Sequence, residues 1–135
     1  MSYWLLKSEP GTYSWDRLVK DGRTAWNGVR NHQAANNLKA MKRGDRAFFY
    51  HSGAAPAVVG IVEVVKASYP DPSDPAGRFV MVDVKPVKAL AAPVPLAKIK
   101  ANAALKDLAL LRQGRLSVVP VDPASWALIG RMGGV

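Results

Sequence analysis

Two apolar runs separated by a short turn constrain the fold of this chain more than any other feature. Ala47-Phe48-Phe49-Tyr50-His51-Ser52-Gly53 reads as a hydrophobic strand closed by polar residues and a glycine. The stretch Pro56 to Val65 follows at once, with Val58-Val59-Gly60-Ile61-Val62 apolar at every position. A strand sends alternate side chains to opposite sides, so a continuous apolar run must be covered on both faces. The two runs are expected to pair as a buried hairpin on which the rest of the chain packs. Tyr3 to Lys7, stopped by Ser8-Glu9-Pro10-Gly11, Phe79 to Val84, and Arg115 to Val121 supply further strands.

Short helices fall between these strands. Ser14 can cap one, with Asp16 in its first turn, Gly22 past its end, and Trp15, Leu18 and Val19 at helical spacing. His32 to Met41 is a second, and Lys42-Arg43-Gly44-Asp45 breaks it. Leu96 to Leu111 holds one or two more, and the last runs from Asp122 or Pro123 through Trp126, Leu128 and Ile129 to Gly130. Tyr69-Pro-Asp-Pro-Ser-Asp-Pro-Ala-Gly reads as a loop with solvated acids, and Ala92-Pro-Val-Pro as a turn. Strands and helices without regular alternation predict an α+β fold, a small barrel of about five or six strands rather than a parallel sheet. No repeat or linker divides residues 1–135, so one domain is expected.

The stretch from Ala25 to Met41 carries the chemistry. It places Trp26, four asparagines, a glutamine, His32 and Arg30 around an Asn-Gly turn. Trp26 offers a flat apolar face, and Asn27, Asn31 and Gln33 carry amides with donors and acceptors, the combination that reads the edge of a planar heterocycle. The alternative is structural: Trp26 as a core anchor and Asn31 as the cap of the following helix. His51, at a strand end, is either a pocket residue or a satisfied side chain beside a turn.

Charge points to the same class of partner. Nineteen Lys and Arg against ten Asp and Glu give a net +9, which favours a polyanion without specifying a sequence. Absence of cysteine excludes disulfides, thiolate zinc sites and cysteine nucleophiles, and two histidines do not make a metal site. Gly-rich phosphate loops, His-Glu-x-x-His and Gly-x-Ser-x-Gly are also absent. The N-terminal stretch lacks the features of a secretory signal and no segment has the length of a membrane span, so a cytoplasmic monomer without metal or cofactor is expected. A base lifted from its strand would stack on Trp26, present its edge to Ser8, Asn27 or Asn31, and leave its phosphates to cations at the rim.

The motifs Tyr3-Trp-Leu-Leu-Lys-Ser-Glu-Pro, Trp26-Asn-Gly-Val-Arg-Asn-His-Gln-Ala, Met41-Lys-Arg-Gly-Asp, Phe49-Tyr-His-Ser, Tyr69-Pro-Asp-Pro and Arg115-Leu-Ser-Val, in this order, resemble the EVE domain family over nearly the whole chain. The resemblance implies a PUA-like fold, related to ASCH and YTH domains, and recognition of a modified cytosine or adenine in DNA or RNA. It implies a base pocket of Trp26, Lys7, Ser8, Glu9, Asn27, Val29, Asn31, His51, Ser52, Arg115 and Ser117, with Arg30, Lys39, Lys42 and Arg43 placed for the backbone. Two departures are visible: the segment between Tyr69 and Phe79 is shorter than in many members, and Val119 stands where a glutamine is expected. They predict a looser pocket or an altered base preference. Two other readings compete with a non-catalytic reader: an ASCH-like nucleoside amidohydrolase worked by Lys7 and Glu9, and an accessory module for a metabolite or protein.

Overall fold

The computed structural model describes all 135 residues. Six strands form one mixed sheet: β1 (Tyr3–Ser8), β2 (Thr24–Ala25), β3 (Arg46–His51), β4 (Ala57–Pro70), β5 (Val80–Pro95) and β6 (Val118–Val121), in the order β2-β5-β4-β3-β1-β6. The expected hairpin is its centre, with β3 antiparallel to β4 from Arg46 opposite Glu63 to His51 opposite Ala57. Strand β1 runs parallel to β3, Tyr3 beside Arg46 and Ser8 beside His51, and antiparallel to β6.

The architecture is α+β with PUA-like strands and inserted helices, as expected, but its ladder is open: β2 and β6 are edges and do not pair with each other. Helix α2 (His32–Ala40) packs against both β5 and β6. Asn37 Nδ2 donates to the Val118 carbonyl at 2.8 Å, so a helix amide covers an edge that would otherwise present a free acceptor.

Alternation along β3 divides the core into two aromatic faces. Phe48 stacks on Trp126 at 3.9 Å between ring centroids, and Trp126 on Tyr3 at 4.4 Å, which fixes helix α5 (Pro123–Met132) to one face. Phe49 points the other way and meets Trp15 at 5.5 Å and Trp26 at 5.6 Å, both edge to face. Trp15 opens helix α1 (Trp15–Asp21) and lies directly over Gly60, where a Cβ would come within 2.5 Å of the ring. That close approach is the physical reason for a glycine inside the most hydrophobic strand of the chain.

Several expected boundaries move. Strand β4 continues to Pro70, so the loop begins at Asp71 rather than Tyr69. Strand β5 runs through the Ala92-Pro-Val-Pro segment that reads as a turn, because the register shift between Val58 and Gly60 leaves Pro93 outside the ladder, where its missing N–H costs nothing, and Pro95 is the last residue of the strand. Leu96 to Leu111 resolves into helices α3 (Leu96–Ala101) and α4 (Ala109–Arg112) with a 3-10 turn between them. The final strand begins only at Val118, leaving Arg115 and Ser117 in the preceding turn. Val19 faces solvent, and α5 passes through Gly130 to end at Met132, capped by Gly133. No helix is long and apolar enough to cross a membrane.

Candidate functional site

A cavity of about 370 Å³ opens where β1 ends, lined by Lys7, Ser8, Glu9, Thr12, Tyr13, Thr24, Ala25, Trp26 and Asn27. Its volume falls at the lower end of the range for small-ligand pockets. The Pro10-Gly11 reversal builds one wall: the amides of Thr12 and Tyr13 both donate to the Glu9 carbonyl, and Ser8 Oγ donates to the Tyr13 carbonyl. Ser8 thereby holds the wall in place with its hydroxyl hydrogen. Strand β2 builds the opposite wall, paired with β5 through Thr24 opposite Val84 and Ala25 opposite Asp83. Asp83 secures that edge by accepting from Arg23 Nε at 3.2 Å, from Arg23 Nη2 at 2.8 Å and from the Tyr69 hydroxyl. Its hydrogen bond to the Asp83 carboxylate, aided by burial, pushes the Tyr69 hydroxyl up to about 12.

Trp26 is both a core side chain and a wall of the cavity. It is only 9 % exposed and packed edge-on against Phe49, yet it lines the cavity. Its indole N–H makes no hydrogen bond within the chain and is not a buried orphan, since Arg46 Nε is the one buried side-chain nitrogen or oxygen without a partner. The N–H therefore reaches solvent. Asn27 next to it is exposed; its backbone amide donates to the Ala25 carbonyl at 3.1 Å, and its side-chain oxygen and NH2 group are free of partners in the chain. Lys7 is half-buried; burial lowers its pKa, and Nζ donates to the Gly114 carbonyl at 2.8 Å. The Glu9 carboxylate lies beside Gly53, and no ion pair joins it to Lys7.

The Asn27-Gly28 turn that presents Asn27 is held from below by a residue expected to be solvated. Asp71 is 1 % exposed and accepts from the Gly28 amide at 2.8 Å, the Ser73 amide at 2.8 Å, Ser73 Oγ at 2.6 Å and Arg30 Nη1 at 3.3 Å. Burial alone would raise its pKa, but hydrogen bonds from Ser73, Gly28 and Arg30 outweigh it and bring it down to about 2. Gly28 has φ +76°, the left-handed conformation that favours glycine. Arg30, expected at the phosphates, is committed to Asp71 and Ser73, with its guanidinium 5.5 Å from the Phe79 ring centre.

The other expected site residues divide. Asn31 accepts from the Ala34 amide at 2.9 Å, the capping role, and lines a neighbouring hollow with Arg115. The Ser117 carbonyl accepts from the Lys7 amide at 3.0 Å. Val29 is buried in the core. His51 faces a different, mainly apolar hollow with Pro56, Pro93 and Pro95, and its Nε2 accepts from the Trp15 amide at 3.0 Å. Burial lowers its pKa against the opposing effect of Asp16 and Glu9, which suits a neutral ring accepting at the start of α1. Ser52 donates its amide to the Ser8 carbonyl. Lys42 and Arg43 lie at the far ends of β1 and β3, six residues or about 20 Å from the cavity, and Lys39 is on the last turn of α2. Thr12, Tyr13, Thr24 and Ala25 complete the cavity without having stood out in the sequence. The chain reversal at Pro10-Gly11 is the signal that brings Thr12 and Tyr13 back over the strand end.

With this geometry in hand, similarity to known proteins is informative. The profile of the EVE domain matches residues 2–132. Thymocyte nuclear protein 1 of Homo sapiens is 35 % identical over an alignment covering 89 % of this chain and 68 % of the human protein. A Rhodopseudomonas palustris protein solved by NMR superposes with a TM-score of 0.94 at 51 % identity, covering 99 % of this chain and 94 % of the other. Human THYN1, crystallised in complex with 5-methylcytosine containing DNA, superposes at 0.94 with 32 % identity over 100 % and 99 % of the two chains. The YTH domain of Zygosaccharomyces rouxii MRB1, solved with N6-methyladenosine RNA, shares the fold alone, at TM-score 0.61 and 13 % identity, over 99 % and 87 % of the two chains.

Proposed function

The chain belongs to the EVE domain family, and from that premise we propose that it is a non-catalytic nucleic-acid-binding module that takes a modified base into the cavity at the end of β1. The observation that carries this reading is the cavity itself, which is lined together by the Trp26 indole, by Asn27 with its free side-chain amide and by Lys7. An aromatic wall binds any base by stacking, on the order of 1–3 kcal/mol, and the amide discriminates by the edge it meets. The human relative's complex with DNA containing 5-methylcytosine supports a modified cytosine as the first guest to test.

The test is a fluorescence-quenching titration with single-stranded and duplex oligonucleotides carrying plain, methylated or hydroxymethylated cytosine, or methylated adenine. Preference for one modified base, lost in Asn27→Ala, is the expected result. Equal affinity for every oligonucleotide would overturn it. Asn27 is the better probe than Trp26, because the buried indole cannot be removed without disturbing the core.

A further inference from the structure

Beside the base cavity lies a second hollow of about 330 Å³, lined by Asn31, Gln33, Gln113, Gly114, Arg115 and Leu116. A single wall separates the two: Lys7, which lines the first, donates Nζ to the Gly114 carbonyl of the second at 2.8 Å. The hollow is built by distant parts of the chain. Gln33 on α2 donates Nε2 to Gln113 Oε1 at 3.2 Å, joining the start of α2 to the turn after α4. That pairing leaves the Gln33 carbonyl oxygen and the Gln113 NH2 group without partners, and Asn31, whose oxygen caps α2, keeps its own NH2 group.

Its charge is as particular as its shape. No carboxylate lines it, and Arg115 is exposed and takes part in none of the six ion pairs of the molecule. Arg30, one residue from Asn31, is by contrast committed to Asp71 and Ser73. An unpaired guanidinium beside several free amides, one wall away from an aromatic pocket, matches a phosphodiester followed by a base edge.

We propose that this hollow is a second nucleotide subsite, which receives the nucleotide adjoining the bound base: Arg115 takes its phosphate, and the amides of Asn31, Gln33 and Gln113 meet its base. The subsite rests on the base-cavity reading above. It gives the chain a flanking-sequence preference that the first cavity cannot supply, because only the second presents amides to a neighbouring base. Lys7 becomes the divider that fixes the step between the two nucleotides.

The experiment measures binding of single-stranded DNA oligonucleotides with one central 5-methylcytosine and each of the four bases next to it, and of their plain-cytosine counterparts, at several salt concentrations. The proteins are the wild type, Arg115→Ala, the double variant Gln33→Ala with Gln113→Ala, and Asn27→Ala. Arg115→Ala is expected to weaken both kinds of oligonucleotide about tenfold and to reduce the slope of log affinity against log salt by about 0.7, with the ratio of methylated to plain affinity retained. The glutamine double variant is expected to flatten the preference among oligonucleotides that differ only next to the methylated base. Asn27→Ala is expected to lose the methylation ratio and keep the slope. Unchanged affinity and slope in Arg115→Ala would overturn the subsite while leaving the base cavity standing. Loss of the methylation ratio in Arg115→Ala would also overturn it, by placing Arg115 in the base cavity itself. A wild type that binds methylated and plain oligonucleotides equally would overturn the base-cavity reading, and no binding at all would overturn both.

Discussion

Trp26 shows how one residue ties stability to a site. Its ring is nearly buried against Phe49 and also lines the cavity, so truncation removes a core side chain as well as a wall. Trp26→Ala is expected to cost about 3–5 kcal/mol of stability, read by urea denaturation, whereas Trp26→Phe should keep most of it. Asp71 makes a second link at this scale. Its depressed pKa means that its contribution is present above the ordinary carboxylate value and is lost as pH falls from about 4 toward 2; that contribution is about 2 kcal/mol. The pH dependence of unfolding should therefore flatten over this window in Asp71→Asn. The same variant leaves the Gly28 amide and Arg30 without their ionised acceptor, so Asn27 should lose its fixed position and modified-base affinity should fall with stability. Wild-type affinity in Asp71→Asn would show that the Asn27-Gly28 turn holds its shape unaided.

Between elements, the sheet depends on a few close approaches. Gly60 lets Trp15 lie on β4, and a methyl group there would meet three ring atoms within 2.6 Å. The indole is wedged against Phe49 and cannot swing aside, so Gly60→Ala is expected to cost about 1–3 kcal/mol by overpacking, measured as a lower denaturation midpoint with an unchanged m-value. Elements of this kind were legible in the sequence: the apolar runs at Phe48 and Val58 determine the hairpin, and Ser14, Asn31 and Asp122 cap the helices as their residue types predict. What the sequence concealed follows from long-range pairing. Two-residue β2 has no pattern of its own and exists because β5 offers it a partner. Pro93 of β5 reads as part of a turn because the bulge that accommodates it depends on the register of β4. Asp71 reads as a loop acid because nothing local reveals that Gly28 and Arg30 will close over it. For the site, Lys7, Ser8, Glu9, Trp26 and Asn27 line one cavity, while His51 turns to another hollow because the start of α1 claims its ring.

Over the whole molecule the excess of positive charge is also an excess of free positive charge. Of the ten acids, Asp21, Glu63, Asp71, Asp83 and Asp107 are in ion pairs, and Asp45, Asp74 and Asp122 accept backbone amides. The carboxylates serve mainly as internal acceptors, so many of the nineteen cations face solvent without a counter-charge of their own. Lys42 and Arg43 stand about 20 Å from the cavity, too far to touch the same nucleotide, yet they add to the field that draws a polyanion toward the molecule. Two terms should therefore separate in binding. Affinity for unmodified single-stranded DNA should fall linearly on a log–log plot of affinity against salt, with a slope set by the number of phosphates neutralised. The ratio of affinities for modified and plain strands should stay constant with salt, because both strands carry the same phosphates and differ only at the base in the cavity. A ratio that collapses as salt rises would place discrimination in the charged surface instead of the Trp26 pocket. A constant ratio over a falling absolute affinity would leave the cavity as the source of selectivity and the distributed charge as the source of attraction.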